Sequence, residues 1–356
     1  MALNLTYEVL DLALAEPFVI ARAEPGAGQS ATTVIVEIRD DRYPNLVGMG
    51  EGYPDPYYGE TPATMAVVMP ELLARVDPSD VDFEPDFAAD ALADIATRLF
   101  DGAIRGHGAA KCALDIALHD LAGKVSGRPV YELLGLPAVI PATDFTLGID
   151  RPEIVAARAR RASHFPALKV KVGGPADIET LEAVRAVYAG PIRVDANTAW
   201  TPDVAEGLLA ELVGLGVELI EQPFPARRLD QLAWLQQRSP LPIVADESAI
   251  TIEDLDGLVG VVAGVNVKLA KCGGVGPAKR MLERAKALGF RTFLGCMEET
   301  SIGIAASAAV ASLADWVDLD GNLLLAADPF EGLELGADCR WQLSPDPGLG
   351  LRRVAR

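Results

Sequence analysis

Two lysines separated by a single residue, Lys169 and Lys171, lie in the stretch LKVKVGG. The apolar alternation around them is typical of a strand, in which side chains at positions i and i+2 point to the same side. A solvated strand edge would also explain such a pair, because most lysines are exposed. The pair becomes a candidate for chemistry only together with the residues that end the neighbouring strands.

Charged residues end several of the following predicted strands. Asp195 ends PIRVD, Glu221 ends VELIE, Asp246 follows PIVA, and Lys268 ends GVNVK. Three carboxylates without histidine or cysteine suit a hard cation such as Mg²⁺, which keeps open positions for substrate oxygens. We therefore predict one Mg²⁺ per subunit, held by the three carboxylates.

Eight short apolar runs alternate with Ala/Leu-rich helical stretches from about residue 140 onwards. This pattern predicts an α/β fold, a (β/α)₈ TIM-type barrel whose active site lies at the C-terminal ends of its strands. We expect an N-terminal α+β domain at residues 1–125, the barrel at 126–327, and a tail at 328–356 that returns to the first domain. The runs are PATDFTLGI, ALKVKVG, PIRVDAN, VELIEQP, PIVADES, GVNVKLAKCGG, FRTFLGCM and WVDLDG.

The lysines of strands two and six would face each other, because these strands are four apart in a circle of eight. Lys171 and Lys268 could then remove a proton from one side of a carbon and return it from the other, as racemisation or epimerisation requires. A divalent metal on the adjacent carboxylate stabilises the charge that develops. The base must be a neutral amine, so we predict that Mg²⁺, the Lys169 ammonium and partial burial lower the pKa of these lysines.

Composition narrows the class of protein. The chain has 356 residues, of which half are apolar, and a formal charge of −20, which argues against nucleic acid and anionic membranes as partners. Its four cysteines have no CxxC spacing, and no apolar run approaches a membrane span. We expect a cytoplasmic protein that forms homo-oligomers and acts on a small molecule.

These motifs, in order and spacing, resemble the enolase superfamily in its muconate-lactonizing-enzyme-like subgroup. The resemblance covers the KxK pair, the acids of VDAN, EQP and ADES, and VKLAKCGG with its lysine. The stretch AAKCALDIALHDLAGKVSGRPVYELLG is similar to the helix that joins the capping domain of this family to its barrel. The resemblance implies two lysine bases, one Mg²⁺ and an enediolate intermediate.

The eighth strand is similar to the DxD signature of dipeptide epimerases, because VDLDG places Asp318 and Asp320 on one face at the barrel mouth. The resemblance implies that these carboxylates hold the N-terminal amine of a dipeptide while its C-terminal carboxylate lies on the metal, near Lys169. A solvated Asp pair is the alternative, and the same tetrapeptide DLDG recurs at 254–257 in a helical stretch. We predict a Mg²⁺-dependent epimerase that inverts the C-terminal residue of an L,L-dipeptide similar to L-Ala-L-Glu, by 1,1-proton transfer through an enediolate between the two lysines.

Three residues bear on the side chain of that dipeptide. Arg22 lies in a Gly-rich loop, and resemblance to Ala-Glu epimerases implies that it contacts the substrate's glutamate; it could equally be a surface residue. Cys296 and Glu298 follow strand seven and are predicted to line the pocket. Glu298 departs from an Ala-Glu pattern and would suit a cationic side chain. Three further polar residues are predicted to support the site from behind the ligands: Asn197, Glu247 and Lys271.

Two other functions remain open. One is o-succinylbenzoate synthase or another carboxylate lyase or cycloisomerase on the same scaffold. The other is a metal-binding barrel without turnover, against which both opposed lysines argue. The three histidines fall outside the strand ends, which favours structural or surface roles for them: His107, His119 and His164.

Overall fold

The structure is a computed structural model that describes residues 2–23, 26–80 and 88–355. Its N-terminal part is a three-stranded antiparallel sheet of β1 (Leu3–Ala13), β2 (Ser30–Asp40) and β3 (Gly48–Gly52). The central strand is rich in β-branched residues, and its Val34, Val36 and Ile38 are buried. They pack against the helices that follow.

Those helices are α1 (Pro62–Leu73), α2 (Ala88–Asp94), α3 (Gly108–Ser126) and α4 (Val130–Leu133). Thr61 and Thr64 form a reciprocal capping box at the start of α1. Gly127, with φ of 72°, ends the long buried helix α3 in the left-handed conformation that favours glycine.

Strand β3 packs against α3 without intervening side chains. A Cβ atom at any of its three alternate glycines would overlap a carbonyl oxygen of the helix, so only glycine fits at this distance. The strand backbone therefore lies directly on the helix backbone, and we call this contact the glycine comb. Its facing pairs are Gly48 with Ala117, Gly50 with Ala113, and Gly52 with Ala109.

Eight parallel strands form the second part of the molecule, which confirms the predicted barrel. Each strand lies within one of the eight predicted runs and pairs with its neighbours in chain order. The sheet returns on itself where Thr143 bridges Val317. The strands are β4 (Phe145–Leu147), β5 (Leu168–Lys171), β6 (Ile192–Asp195), β7 (Val217–Glu221), β8 (Ile243–Ala245), β9 (Gly264–Lys268), β10 (Arg291–Gly295) and β11 (Trp316–Asp318).

Helices on the outside of the barrel cover the strands. They bury one apolar face against the sheet, as Val155 and Ala159 do in the first of them. These helices are α5 (Pro152–Arg161), α6 (Asp177–Arg185), α7 (Pro202–Gly214), α8 (Leu229–Gln236), α9 (Leu255–Leu258), α10 (Leu269–Cys272), α11 (Val275–Ala287) and α12 (Ser301–Ala308).

The strand register brings the ends of the strands to one level. Lys171 pairs with Asp195 and Asp195 with Glu221, whereas Lys268 pairs with Gly295 and Gly295 with Asp318. The charged residues predicted at the strand ends therefore meet at one mouth of the barrel.

The C-terminal tail contacts the first part of the molecule, since the Leu349 backbone N–H donates to Asp120 Oδ1 of α3 at 2.8 Å. Its short strands β12 (Phe330–Glu331) and β15 (Arg352–Arg353) pair with each other, as do β13 (Glu334–Leu335) and β14 (Trp341–Gln342). Backbone hydrogen bonds join Ala326 to Ala13 and Val130 to Gly348. The domain limits at residues 125 and 327 stay a prediction.

Two further observations concern the cysteines and the lengths of the helices. The four cysteines are free thiols. Across the described ranges, every helix is too short or too polar to cross a membrane.

Candidate active site

The three predicted carboxylates converge at the barrel mouth. Asp195, Glu221 and Asp246 end or follow three neighbouring strands, and each offers a carboxylate oxygen within 4.8 Å of the others. All three residues are buried. Buried carboxylates this close repel one another unless cations lie among them.

The donor set of this cluster fits a hard divalent cation. Burial and the charge of Asp195 raise the pKa of Glu221 to about 7, although Lys169 opposes the shift. The Oε2 atom of Glu221 is buried and lacks a hydrogen-bond partner; it lies 2.8 Å from the Lys169 amine, outside hydrogen-bond geometry. Mg²⁺ prefers carboxylate oxygens as ligands. The cluster offers three of them, and one has no hydrogen-bond donor.

Lys169 lies at the centre of this cluster rather than at its edge. Its Nζ is 2.8 Å from Glu221, 2.9 Å from Asp318 and 3.2 Å from Asp195. Burial lowers the pKa of Lys169, but the surrounding carboxylates outweigh that effect and raise it well above its usual value. The residue is therefore a fixed positive charge.

Lys171 and Lys268 approach the acids from opposite walls. They end β5 and β9, which three strands separate on either side of the closed sheet. Lys171 Nζ lies 2.7 Å from Asp195 Oδ2, and Lys268 Nζ lies 3.1 Å from Asp246 Oδ2. Each amine thus pairs with a different carboxylate of the cluster, and both line the same cavity.

The fall in the pKa of the lysine bases in the presence of Mg²⁺ stays a prediction. The chain's own groups around Lys268 act in the opposite direction. Burial lowers the pKa of its amine, but the attraction of Asp246, together with Glu221 and Asp195, outweighs burial and raises it. Lys171 and Lys169 hold the pKa of Asp195 down at about 2, against the effect of its burial. The carboxylates, rather than neighbouring ammonium groups, dominate this site.

Lys271 supports Asp246 from behind. Its fully buried amine contacts Asp246 Oδ1 at 2.5 Å, the Asp246 carbonyl oxygen at 2.6 Å, and the carbonyl oxygens of Ala249 and Asn266 at 3.0 Å. Four oxygens around one amine fix both the strand end and its carboxylate.

Two asparagines hold three other acids of the mouth. Asn197 donates its backbone N–H to Asp195 Oδ1 at 2.9 Å and its amide to Glu247 at 3.3 Å. Asn266, which the sequence analysis missed, donates to Glu221 Oε1 at 2.7 Å. The sequence did indicate Asn266, because it is a polar residue in a buried strand and lies two positions before Lys268, on the same face of the strand.

Asp318 and Asp320 lie beside each other on the cavity wall. The Thr146 hydroxyl donates to Asp318 at 3.0 Å, and the Thr146 backbone N–H donates to Asp320 at 2.6 Å. Burial raises the pKa of Asp320 to about 8, and the charge of Asp318 adds to the effect. Lys169 outweighs the burial of Asp318 and lowers the pKa of that carboxyl.

Arg193 and Asp144, which the sequence analysis also missed, form an ion pair below Asp318 inside the barrel. Arg193 donates from Nη1 to Asp144 at 2.8 Å and from Nε to Glu218 at 2.8 Å. Burial raises the pKa of Asp144 well above its usual range, and its carboxyl hydrogen-bonds Asp318. Charged residues inside predicted buried strands were the available signal, because such charges need partners.

A cavity of about 890 Å³ lies at the barrel mouth, and this is a typical size for a small-molecule site. Its lining includes the three lysines of the mouth, the Asp318–Asp320 pair, Cys296 and Glu298. Segments of the N-terminal domain around Phe18–Arg22 and Tyr53–Tyr57 also line the cavity.

Arg22 lines this cavity but already has partners. Its Nη1 donates to Glu247, its Nη2 lies 3.7 Å from Asp55, and its guanidinium stacks 4.5 Å from the Tyr57 ring centre. Residues 24 and 25 of the same predicted loop lie outside the described residues.

Comparison with known proteins matches both parts of the chain. Residues 6–135 match the family described as mandelate racemase/muconate lactonizing enzyme, N-terminal domain, and residues 154–353 match the enolase C-terminal domain-like family. An L-Ala-D/L-Glu epimerase of Bacteroides thetaiotaomicron is 38% identical over 99% of this chain and 88% of that protein.

Two matches come from Enterococcus faecalis. A hydrophobic dipeptide epimerase is 35% identical, over 95% of this chain and 96% of that protein. The crystal structure of a dipeptide epimerase complexed with Mg and L-Leu-L-Tyr superposes with a TM-score of 0.88 at 32% identity, covering 99% of each chain.

Proposed function

The chain belongs to the enolase superfamily, in its mandelate racemase/muconate lactonizing enzyme branch, and we propose that it is a Mg²⁺-dependent dipeptide epimerase. The reaction is inversion of the C-terminal residue of an L,L-dipeptide by 1,1-proton transfer. The named relatives support an epimerase, an isomerase that acts on dipeptides.

One observation carries the mechanism. Lys171 and Lys268 lie on opposite walls of one cavity, and each contacts a different carboxylate of the acidic cluster. Metal binding alone would need neither amine. Two amines flanking the place where a substrate carbon would lie suit removal and return of a proton on opposite faces.

Asp195, Glu221 and Asp246 would hold the cation. That cation, when bound, supplies positive charge that stabilises the substrate's carboxylate as it gains charge and opposes protonation of the nearby amines. Lys169, fixed among three carboxylates, would hold the substrate's carboxylate in place. Asp318 and Asp320 would hold the N-terminal ammonium group.

Proton transfer then needs only the two lysines. One neutral amine takes the α-proton and leaves the substrate as an enediolate, and the opposite ammonium group gives its proton to the other face of the same carbon. The substrate gains and loses one proton, and the two lysines exchange protonation states. The isomer supplied decides which lysine acts as the base.

The predicted L-Ala-L-Glu-like side-chain preference has weaker support than the reaction itself. The Arg22 guanidinium that would contact a glutamate side chain already contacts Glu247 and lies close to Asp55. A substrate carboxylate would have to compete with these two acids.

The proposal is tested by incubating the protein with a library of L,L-dipeptides and MgCl₂ in D₂O, followed by mass spectrometry and chiral analysis. We expect one deuterium at the α-carbon of the C-terminal residue, formation of the L,D-isomer, and loss of both with EDTA. Loss of water from a substrate without exchange would instead favour a carboxylate lyase. Absence of exchange with every dipeptide while Mg²⁺ still binds would favour the non-catalytic barrel.

A further inference from the structure

Among the described residues of the cavity, Glu298 is an acid that forms no ion pair with a lysine or arginine, as is Asp320. Glu298 follows β10 and lines the cavity, and its charge adds to the effect of burial in raising the pKa of Tyr53 of the N-terminal domain. In the part of the chain that the structure describes, no lysine or arginine forms an ion pair with Glu298. Its negative charge is therefore available to a ligand.

The arginine that could neutralise Glu298 is engaged elsewhere. Arg22 is the cation that the N-terminal domain contributes to the cavity wall, and it contacts Glu247 and stacks on Tyr57. Asp55, which also lines the cavity, lies 3.7 Å from that same guanidinium. Two acids already share this one cation.

The position of Glu298 relates it to the ammonium end of the site. A Cβ atom at Gly321 would overlap the carbonyl oxygen of Met297 and lie 3.3 Å from the Cys296 sulfur. The segment that carries Glu298 therefore packs directly on the segment that carries Asp320. A substrate side chain on a Cα atom held beside Asp320 would therefore start close to the segment that carries Glu298.

We infer that Glu298 selects dipeptides whose N-terminal residue has a cationic side chain, lysine or arginine. The inference rests on the proposed function, because it assigns the N-terminal ammonium group to the Asp318–Asp320 pair. An ammonium or guanidinium group would form a charge-assisted hydrogen bond with the Glu298 carboxylate. An acidic side chain would meet the carboxyl groups of Glu298, Asp318 and Asp320, and a neutral one would leave Glu298 without an opposite charge.

The test compares isosteric substrates on the wild-type protein and on Glu298→Gln, which keeps the shape of the side chain and removes its charge. The substrates are L-Lys-L-Ala, L-norleucyl-L-Ala, L-Glu-L-Ala and, for the position of the cation, L-Ala-L-Lys. We expect the wild-type kcat/KM to be about 10- to 100-fold higher for L-Lys-L-Ala than for the norleucyl dipeptide. Glu298→Gln should lose most of that ratio, whereas the norleucyl dipeptide should change by less than about threefold.

Glu334→Gln, an exposed substitution in β13, serves as the matched control and should leave every rate unchanged. A wild-type kcat/KM for the norleucyl or glutamyl dipeptide equal to or above that for L-Lys-L-Ala, or a lysyl-to-norleucyl ratio that Glu298→Gln leaves unchanged, would overturn the cationic preference and leave the epimerase intact. A preference for L-Ala-L-Lys over L-Lys-L-Ala would overturn the assignment to the N-terminal residue. Failure of all four dipeptides and of the wider library would overturn both the preference and the proposed function.

Discussion

Replacing either Lys171 or Lys268 by methionine should abolish epimerisation but leave half of the isotope exchange. Each variant keeps one amine, so it should exchange the α-hydrogen of only one of the two epimeric dipeptides. The two variants should be selective for opposite epimers, because their remaining amines lie on opposite walls. Methionine keeps the length and apolar stem of the side chain and removes only the amine.

The expected magnitudes separate chemistry from folding. Loss of a general acid or base lowers the rate by about 10²- to 10⁴-fold, which corresponds to roughly 3–5 kcal/mol of activation free energy. The cost in stability should be smaller, about 1–3 kcal/mol, since each carboxylate keeps another partner. Asp246 retains Lys271 at 2.5 Å, and Asp195 retains Lys169 at 3.2 Å.

The assay follows the α-proton by NMR in D₂O, starting separately from the L,L- and the L,D-dipeptide. Thermal unfolding and Mg²⁺ titration check that each variant is folded, and Lys279→Met on the surface of α11 is the matched control. Exchange of both epimers by a single variant, or selectivity of both variants for the same epimer, would refute the two-wall arrangement.

Two further predictions concern stability. Lys271→Met should lower the free energy of unfolding by about 3–5 kcal/mol, because it leaves Asp246 and three carbonyl oxygens buried without their shared donor; a denaturant midpoint equal to that of Lys279→Met would contradict this. Glu299→Gln tests how the free energy of unfolding depends on pH. Burial raises the pKa of Glu299 to about 8, and the charge of Glu51 adds to the effect. In the unfolded chain a glutamate has a pKa of about 4.3. Between these values the unfolded chain has released a proton that the folded protein keeps, so wild-type stability falls as pH rises, and the variant should gain on it by up to about 1.4 kcal/mol per pH unit. If the free energies of unfolding of the two proteins change in parallel from pH 5 to 8, the folded protein does not keep a proton on Glu299.

The barrel could be read from the sequence because its signal is local. Six of the eight strands are apolar runs that end in or are followed by a charged residue, and the rule that parallel strands end at one mouth brings those residues together. The same rule separates the two DLDG tetrapeptides, since one ends β11 and the other lies at the start of α9. The roles of the lysines and acids stay predictions, although their convergence is a feature of the fold.

Contacts between distant parts of the chain could not be read in this way. The partner of Arg22 is Glu247, 225 residues away, and no periodicity relates a loop of the first domain to a strand end of the second. The direction of the Lys268 pKa depends on the distances to three carboxylates rather than on residue type. Asp144 and Arg193 were visible as charges in apolar runs, but their pairing required the closed sheet.

The glycine comb links the interior of the first domain to the choice of ligand. Glu51 and Tyr53 alternate with its last two glycines; Glu51 accepts hydrogen bonds from Thr300 and Gly303 at the start of α12, and Tyr53 reaches Glu298. A methyl group at Gly50, remote from any reacting atom, would lift the strand and carry both side chains with it. Substitutions on the face of β3 that packs on α3 would therefore change the proposed selectivity, while the proposed catalytic groups on the barrel remain in place.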